Sequence, residues 1–144
     1  KMGEIVWALN EKNDSLSDLL SYTRAYAVDY LMQNGIECQV NAPDTFPSIF
    51  LSGEFRQNMY LSIKEALHNI IKHAQANKVI ITIMIDSHLV VMIHDDGVGF
   101  DPAKIRPFSN GLNNMNKRMK EINGKLEIIH KAGTTIILSV PLPA

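Results

Sequence analysis

Residues 65–74 read EALHNIIKHA, and residues 94–100 read HDDGVGF. In a helix of about 3.6 residues per turn, the polar side chains of the first segment fall within about 100° of arc. These side chains are Glu65, Asn69, Lys72 and His73. The neighbouring arc holds the apolar side chains of Met59, Ile63, Ala66, Leu67, Ile70 and Ile71. The segment therefore predicts a long helix with one face packed against a core and a polar edge beside it.

The second segment supplies an acid and two glycines directly after a predicted strand. Asp95 at a strand end, shielded from water, would accept a hydrogen bond from the exocyclic amine of adenine, whereas guanine presents an oxygen there. Gly97 and Gly99 allow the backbone to approach a planar base closely. Taken alone, such a sequence more often forms a solvated turn. The polar helix edge favours a nucleotide site, because a carboxylate, an amide and a cation suit the proton, metal and phosphates of a magnesium nucleotide.

Composition narrows the class of protein. The chain has 144 residues, of which 46% are hydrophobic, so we expect one domain with a single core. A net charge of −1, with acids and bases interspersed, gives no basic face for nucleic acid or for a membrane surface. The single cysteine, Cys38, and the lack of a signal peptide predict a cytoplasmic fragment. The longest apolar run, Val79 to Ile85, is too short to span a bilayer.

Hydrophobic periodicity predicts three helices and about five strands. Helices are expected from Asp14 or Ser15 to about Gln33, from about Gly53 to Ala76-Asn77, and from about Leu112 to Ile122. Strands are expected at Ile36–Asn41, Val79–Ile85, Leu89–His94, Lys125–His130 and Thr134–Val140, with a polar loop at Asp101–Asn110. This order suits a two-layer α+β sandwich, in which three helices cover one face of a mixed, mostly antiparallel sheet. The third glycine of a dinucleotide-binding fingerprint is missing, which argues against a Rossmann fold.

Two spacings resemble the signature of an ATPase superfamily. Glu65-x-x-x-Asn69-x-x-Lys72-His73 resembles the N box, and Asp95-x-Gly97-x-Gly99 resembles the first glycine box. Histidine kinases, type II topoisomerases, heat-shock chaperones and mismatch-repair proteins share these boxes. Within the superfamily, the chain resembles the catalytic ATP-binding domain of two-component sensor histidine kinases.

The third helix and the first residues extend this resemblance. Asn110-Gly111-Leu112-x-x-Met115-x-x-Arg118 is similar to the subgroup with a short ATP lid, although Ser109 stands where its second glycine box usually has glycine. Residues 1–13 resemble the end of a dimerisation helix and its linker. We therefore expect residues 14–144 to form the catalytic domain.

The resemblance implies a Bergerat fold that holds Mg-ATP between the long helix and the lid. Glu65 would be the catalytic residue, which orients or deprotonates the attacking imidazole, and Asn69 would bind Mg²⁺ as the expected metal ligand. Lys72 and His73 would face phosphate oxygens, and Asp95 would bind adenine. The other implied nucleotide-binding residues are Gly97, Val98, Gly99, Phe100, Gly111, Leu112 and Thr134.

The resemblance also implies partners. ATP would phosphorylate a histidine in the dimerisation domain of the same protein, and a response regulator would receive the phosphoryl group next. The parent would be a homodimer, with or without an inner-membrane anchor, and this fragment a monomer. No histidine here stands in a phosphoacceptor motif, so the acceptor is expected outside the fragment. Two alternatives use the same pocket: an anti-sigma-type serine kinase and a non-catalytic ATP-sensing module, and Glu65 weighs against the second.

Overall fold

The computed structural model describes residues 14–97, 106–130 and 132–143. Within these ranges the chain forms three α-helices and five β-strands. The helices are α1 (Leu16–Gln33), α2 (Gly53–Asn69) and α3 (Arg106–Glu121), and one π-helical turn, Ile70–Ala74, continues α2. The strands are β1 (Glu37–Asn41), β2 (Lys78–Ile85), β3 (His88–Asp95), β4 (Lys125–His130) and β5 (Thr134–Pro141). The predicted linker at residues 1–13 lies outside the described residues, as does the loop segment 101–105.

The strands form one mixed sheet in the order β1-β2-β3-β5-β4. β1 runs parallel to β2, and every other neighbouring pair is antiparallel. Parallel neighbours need a crossover connection, and α2 supplies it between β1 and β2. The register pairs Asp95 with Val79 of β2 on one side and with Thr134 of β5 on the other. The end of β3 is therefore held between two strands.

The core lies between the sheet and the helices. In β3 and β5 every second residue is buried, as expected for a sheet with one covered face. The largest fully buried side chains include Leu89 and Ile93 of β3 and Met59, Ile63 and Leu67 of α2. The predicted two-layer sandwich is thus confirmed. None of the helices within the described ranges combines the length and apolar character of a membrane span.

The helix starts follow the capping residues of the sequence. The Ser15 hydroxyl accepts a hydrogen bond from the Asp18 N–H at 3.0 Å, and the Ser52 hydroxyl accepts one from the Phe55 N–H at 3.1 Å. Each bond satisfies a donor that has no acceptor within its helix. The predicted start of α1 is therefore confirmed. The long helix ends at Ala74, two residues before the predicted end, and Gln75 then adopts a left-handed φ of 54°.

The start of α3 corrects a prediction. The polar stretch up to Asn110 was expected to be a loop, with a helix from about Leu112, whereas α3 begins at Arg106. Pro107, which suggested a loop, is the second residue of the helix. Proline is tolerated in a first helical turn, because the N–H that it lacks would have no acceptor there. Gly111 and Leu112 consequently lie within α3 and not at its start.

The turn before β5 brings two backbone segments into close contact. Gly133 has a φ of +98°, and a Cβ built on it would overlap the carbonyl oxygen of Asp95. Only glycine fits at this position, because a side chain would meet backbone that cannot swing away. Gly133 thereby allows β5 to approach the end of β3.

Gly133→Ala should destabilise the domain by about 3 kcal/mol or more, because the strain of a left-handed residue adds to a backbone overlap. Gly35→Ala is the matched control: Gly35 has a φ of +75°, but nothing lies within 4 Å of its built Cβ. The control should cost only about 1–2 kcal/mol. Urea unfolding followed by circular dichroism measures both, and equal losses would show that the contact with Asp95 is unimportant.

Candidate functional site

Asp95, the last residue of β3, is a buried carboxylate with only 1% of its surface exposed. Its Oδ1 accepts a hydrogen bond from the Gly97 N–H at 2.9 Å. Burial raises the pKa of the Asp95 carboxyl, although the Gly97 N–H and the neighbouring His94 oppose this shift. Burial thus disfavours the charged form of this acceptor at the end of the strand.

Thr134 lies beside Asp95, as its cross-strand partner at the start of β5. The Thr134 side chain is completely buried, and its Oγ1 finds no hydrogen-bond partner within the described part of the chain. A buried hydroxyl without a partner costs about 1–3 kcal/mol, so such a group usually meets a ligand or a water molecule. The two strands therefore bring together a carboxylate and a hydroxyl that can bind one polar ligand.

The polar edge of α2 forms the second part of the site. Glu65 is half-buried, and Asn69, one turn further along α2, is 5% exposed. Among the described residues, the Asn69 Nδ2 has no hydrogen-bond partner. An amide buried in this way at the end of an α-helix is costly, because asparagine is already a poor residue for a helix interior. Its Oδ1 is the kind of hard oxygen ligand that Mg²⁺ accepts.

The π-helical turn changes the predicted positions of Lys72 and His73. A π-helix closes its hydrogen bonds between residues five apart, so it turns less per residue than an α-helix. The single arc predicted for the four polar residues therefore holds for Glu65 and Asn69, but it does not extend unchanged to Lys72. The Lys72 side chain is exposed. The His73 backbone lies in the turn, and its side chain lies outside what the structure describes.

Asp96 connects the end of α2 to the sheet. Its Oδ1 accepts hydrogen bonds from the backbone N–H groups of Asn77, at 2.8 Å, and Lys78, at 3.0 Å. These two bonds lower the pKa of the exposed Asp96 carboxyl. Asp96 thus holds the start of β2 against the end of β3. This role of Asp96 could not be predicted from the sequence, since an aspartate before glycine is an ordinary turn residue and its partners are distant in sequence.

Besides Lys72 and His73 of the π-helical turn, the predicted site residues that the structure describes fall into three groups. Asp95, Gly97 and Thr134 meet at the ends of β3 and β5, and Glu65 and Asn69 lie one turn apart on α2. Gly111 and Leu112 lie in the second turn of α3. Val98, Gly99 and Phe100 lie outside the described residues. The roles assigned to all of them remain predictions.

A metal site made by protein groups alone is not present in the part of the chain that the structure describes. No group of three His, Cys, Asp or Glu side chains there could hold a metal ion.

Comparison with known proteins gives one family and one fold. A family model described as histidine kinase-, DNA gyrase B- and HSP90-like ATPase matches residues 56–144. The sensor histidine kinase YvfT of Bacillus subtilis is 31% identical over 141 residues, which cover 94% of this chain and 37% of YvfT. The sensor histidine kinase LiaS of the same organism is 34% identical over 95 residues, 64% of this chain and 26% of LiaS. The chain thus spans about a quarter to over a third of these relatives.

A solved structure shares the fold. The histidine kinase domain of the blue-light activated histidine kinase from Erythrobacter litoralis EL346 superposes with a TM-score of 0.72 at 20% sequence identity. The superposition covers 94% of this chain and 64% of that domain.

Replacing Asp95 and the adjacent Asp96 by asparagine should change the free energy of unfolding in opposite directions. Asp95→Asn should raise the free energy of unfolding at pH 7, because it removes a carboxyl whose folded-state pKa is raised above 3.8 by burial. The gain should disappear as the pH falls through the folded-state pKa to below 3.8, where the wild-type carboxyl is protonated in both states.

Asp96→Asn is the matched variant, and its effect on the free energy of unfolding should be opposite to that of Asp95→Asn. The folded-state pKa of Asp96 is lowered, so its charge stabilises the fold above pH 3.8 and this stabilisation is lost as the pH falls through the folded value. We expect a loss of stability at pH 7. Thermal unfolding between pH 3 and 8 measures both variants, and a loss for Asp95→Asn at pH 7 would contradict the assignment of a strained charge to that position.

Proposed function

Because this chain belongs to the family of histidine kinase-, DNA gyrase B- and HSP90-like ATPases, we propose that it binds Mg-ATP and transfers the γ-phosphoryl group to a histidine outside the chain. The observation that carries the proposal is the buried pair of Asp95 and Thr134. A carboxylate accepts from the exocyclic amine of adenine, and a hydroxyl can both donate and accept beside it. The pair therefore suits the edge of an adenine base.

Asn69 supports the placement of the phosphates. It lies on α2 between Glu65 and the exposed Lys72, and its amide oxygen can bind Mg²⁺. When bound with the nucleotide, the ion would neutralise charge on the phosphoryl group during transfer. Lys72 and His73 follow Asn69 along the chain and are proposed to face phosphate oxygens.

Glu65 is proposed to act on the acceptor. The acceptor imidazole forms a nitrogen–phosphorus bond while the bond from the γ-phosphorus to the bridging oxygen breaks, which leaves ADP. The attacking nitrogen uses its lone pair, so the phosphorylated ring stays cationic until the other ring nitrogen loses its proton. Glu65, one turn from Asn69 on α2, is proposed to accept that proton.

Gly111 and Leu112 could contact phosphates only after a change in α3. An N–H group in the second turn of a helix already bonds to a carbonyl of the preceding turn, whereas those of the first turn have no such acceptor. Phosphate binding by these two residues therefore requires the start of α3 to open.

The relatives guide the choice of partners. YvfT and LiaS are named sensor histidine kinases, which favours a dimerisation domain of the same protein as the acceptor and a response regulator as the next recipient. We propose that the reaction takes place in the cytoplasm and that the parent protein is a homodimer. An acceptor serine in place of the histidine would instead point to the anti-sigma type of kinase.

Adenine selection tests the base pocket. The chain should bind Mg-ATP much more tightly than Mg-GTP, and Asp95→Asn should weaken ATP binding by about 1.5–3 kcal/mol, the range for a hydrogen bond to a charged group. Asp86→Asn, in the β2–β3 turn, is the control and should leave binding unchanged. Titration calorimetry measures both affinities. Equal affinity for ATP and GTP would contradict the assignment of Asp95 as the residue that binds adenine.

Proton acceptance by Glu65 can be separated from nucleotide binding. Glu65→Gln should slow transfer from ATP, labelled at the γ-phosphate, to an added acceptor domain by about 10²–10⁴-fold, because a general base acts in the transition state. The dissociation constant of ATP should change by less than about twofold. Glu127→Gln, on exposed β4, is the matched control. Stable label on this chain itself would contradict an acceptor located outside it.

A further inference from the structure

A groove between α2 and α3 lies beside Glu65. It has a volume of about 180 Å³. Its lining consists of Leu61, Lys64, Glu65 and His68 from α2 and of Asn114 and Arg118 from α3. From Leu61 to His68 the α2 wall extends over about two helical turns, roughly 10 Å. We call this feature the α2–α3 groove.

The groove adjoins the proposed site of phosphoryl transfer. Glu65 lines it, and Asn69 lies four residues further along α2, where side chains one turn apart have Cβ atoms about 5–6 Å from each other. Under the proposed function, a side chain entering the groove would reach the γ-phosphate at Glu65. The inference made here therefore rests on the proposed function.

The charges in the groove differ from those of the whole chain. Lys64 on one wall and Arg118 on the other are cations, against the single carboxylate of Glu65. The chain as a whole carries a net charge of −1, so this local excess of positive charge is not a general property of its surface. A cationic groove complements an acidic partner, and charges at the edge of an interface mainly govern encounter and choice of partner.

The α2 wall is held in position by α1. The ring of His68 lies 4.9 Å from the ring of Tyr30, centroid to centroid, and its Nε2 is 3.3 Å from the Tyr26 hydroxyl. Tyr26 and Tyr30 are themselves stacked at 5.5 Å. A wall whose side chains are already ordered loses less conformational entropy when a partner binds.

We propose that the α2–α3 groove docks an acidic segment of the phosphoacceptor domain. Arg118 and Lys64 pair with carboxylates of that segment, while Glu65 faces the acceptor imidazole. Arg118 is suited to this contact, because its planar guanidinium can bind a carboxylate through two hydrogen bonds. Arg118 and Lys64 thereby set the affinity for the acceptor domain and take no part in the chemical step.

The test measures transfer of labelled phosphate from ATP to a purified acceptor domain at increasing concentrations of that domain. Arg118→Ala should raise the KM for the acceptor domain by about fivefold, the upper limit for one exposed ion pair. The double variant with Lys64→Ala should raise it further. The kcat at saturating acceptor and the dissociation constant of ATP should stay within about twofold of wild type.

Two controls make the test specific. Lys117→Ala removes an exposed cation next to Arg118 that does not line the groove, and it should leave the KM unchanged. Arg118→Lys keeps the charge and should recover part of the affinity. The wild-type KM should also rise with salt, and this rise should be smaller in the double variant, because salt screens exposed charges.

Each other outcome overturns the docking proposal. If Arg118→Ala weakens ATP binding and leaves the acceptor KM unchanged, the cations bind nucleotide phosphates. If neither quantity changes in the double variant, the acceptor domain docks elsewhere. If the wild-type chain binds ATP but transfers nothing to the acceptor domain, the proposed function itself fails. If the wild-type chain transfers phosphate and only the expected effects of the groove variants are missing, the docking proposal fails and the proposed function stands.

Discussion

The pairing of β3 with β5 is the constraint on which the rest of the site depends. It places Asp95 opposite Thr134, and Gly133 permits this approach because no side chain separates it from the Asp95 carbonyl. The same strand end is tied through Asp96 to the segment that follows α2. One strand end thus brings Asp95 and Thr134 together and is also tied to the segment that follows the C-terminal end of α2, the helix on which Asn69 lies.

The site is built from polar groups that burial makes unfavourable. Asp95, Thr134 and Asn69 are each at most 5% exposed, and the side-chain atoms Thr134 Oγ1 and Asn69 Nδ2 are without partners within the described ranges. The apolar core beneath them supplies the stability that tolerates this arrangement. Buried polar groups that lack partners are common where a protein must bind a ligand tightly and selectively, and stability is often lower there than it could be.

Local patterns predicted the fold well, and contacts between distant segments were harder to predict. Ser15 and the alternating residues of β3 act through neighbours in sequence, so their elements were foreseen. Pro107 was read as a loop residue, although a first helical turn accepts it equally well. The importance of Gly133 depends on β5 meeting β3, which no neighbouring residue signals. The roles assigned to Glu65 and Asn69 came from the family resemblance that their spacing carries, and that of Asp95 also from its chemistry at a strand end. The α2–α3 groove depends on helix packing, which a sequence motif does not show.

The Thr134 hydroxyl and the Asn69 Nδ2, which lack partners among the residues that the structure describes, also bear on how long the protein survives in a cell. A ligand that binds only the folded state adds its own free energy to folding, about 2.7 kcal/mol at one hundred times its dissociation constant. Openings that expose the chain to proteases then become rarer by about a hundredfold. The rate at which proteases degrade this domain should therefore fall as the concentration of its nucleotide rises, so that a cell with more of the nucleotide keeps more of the domain intact.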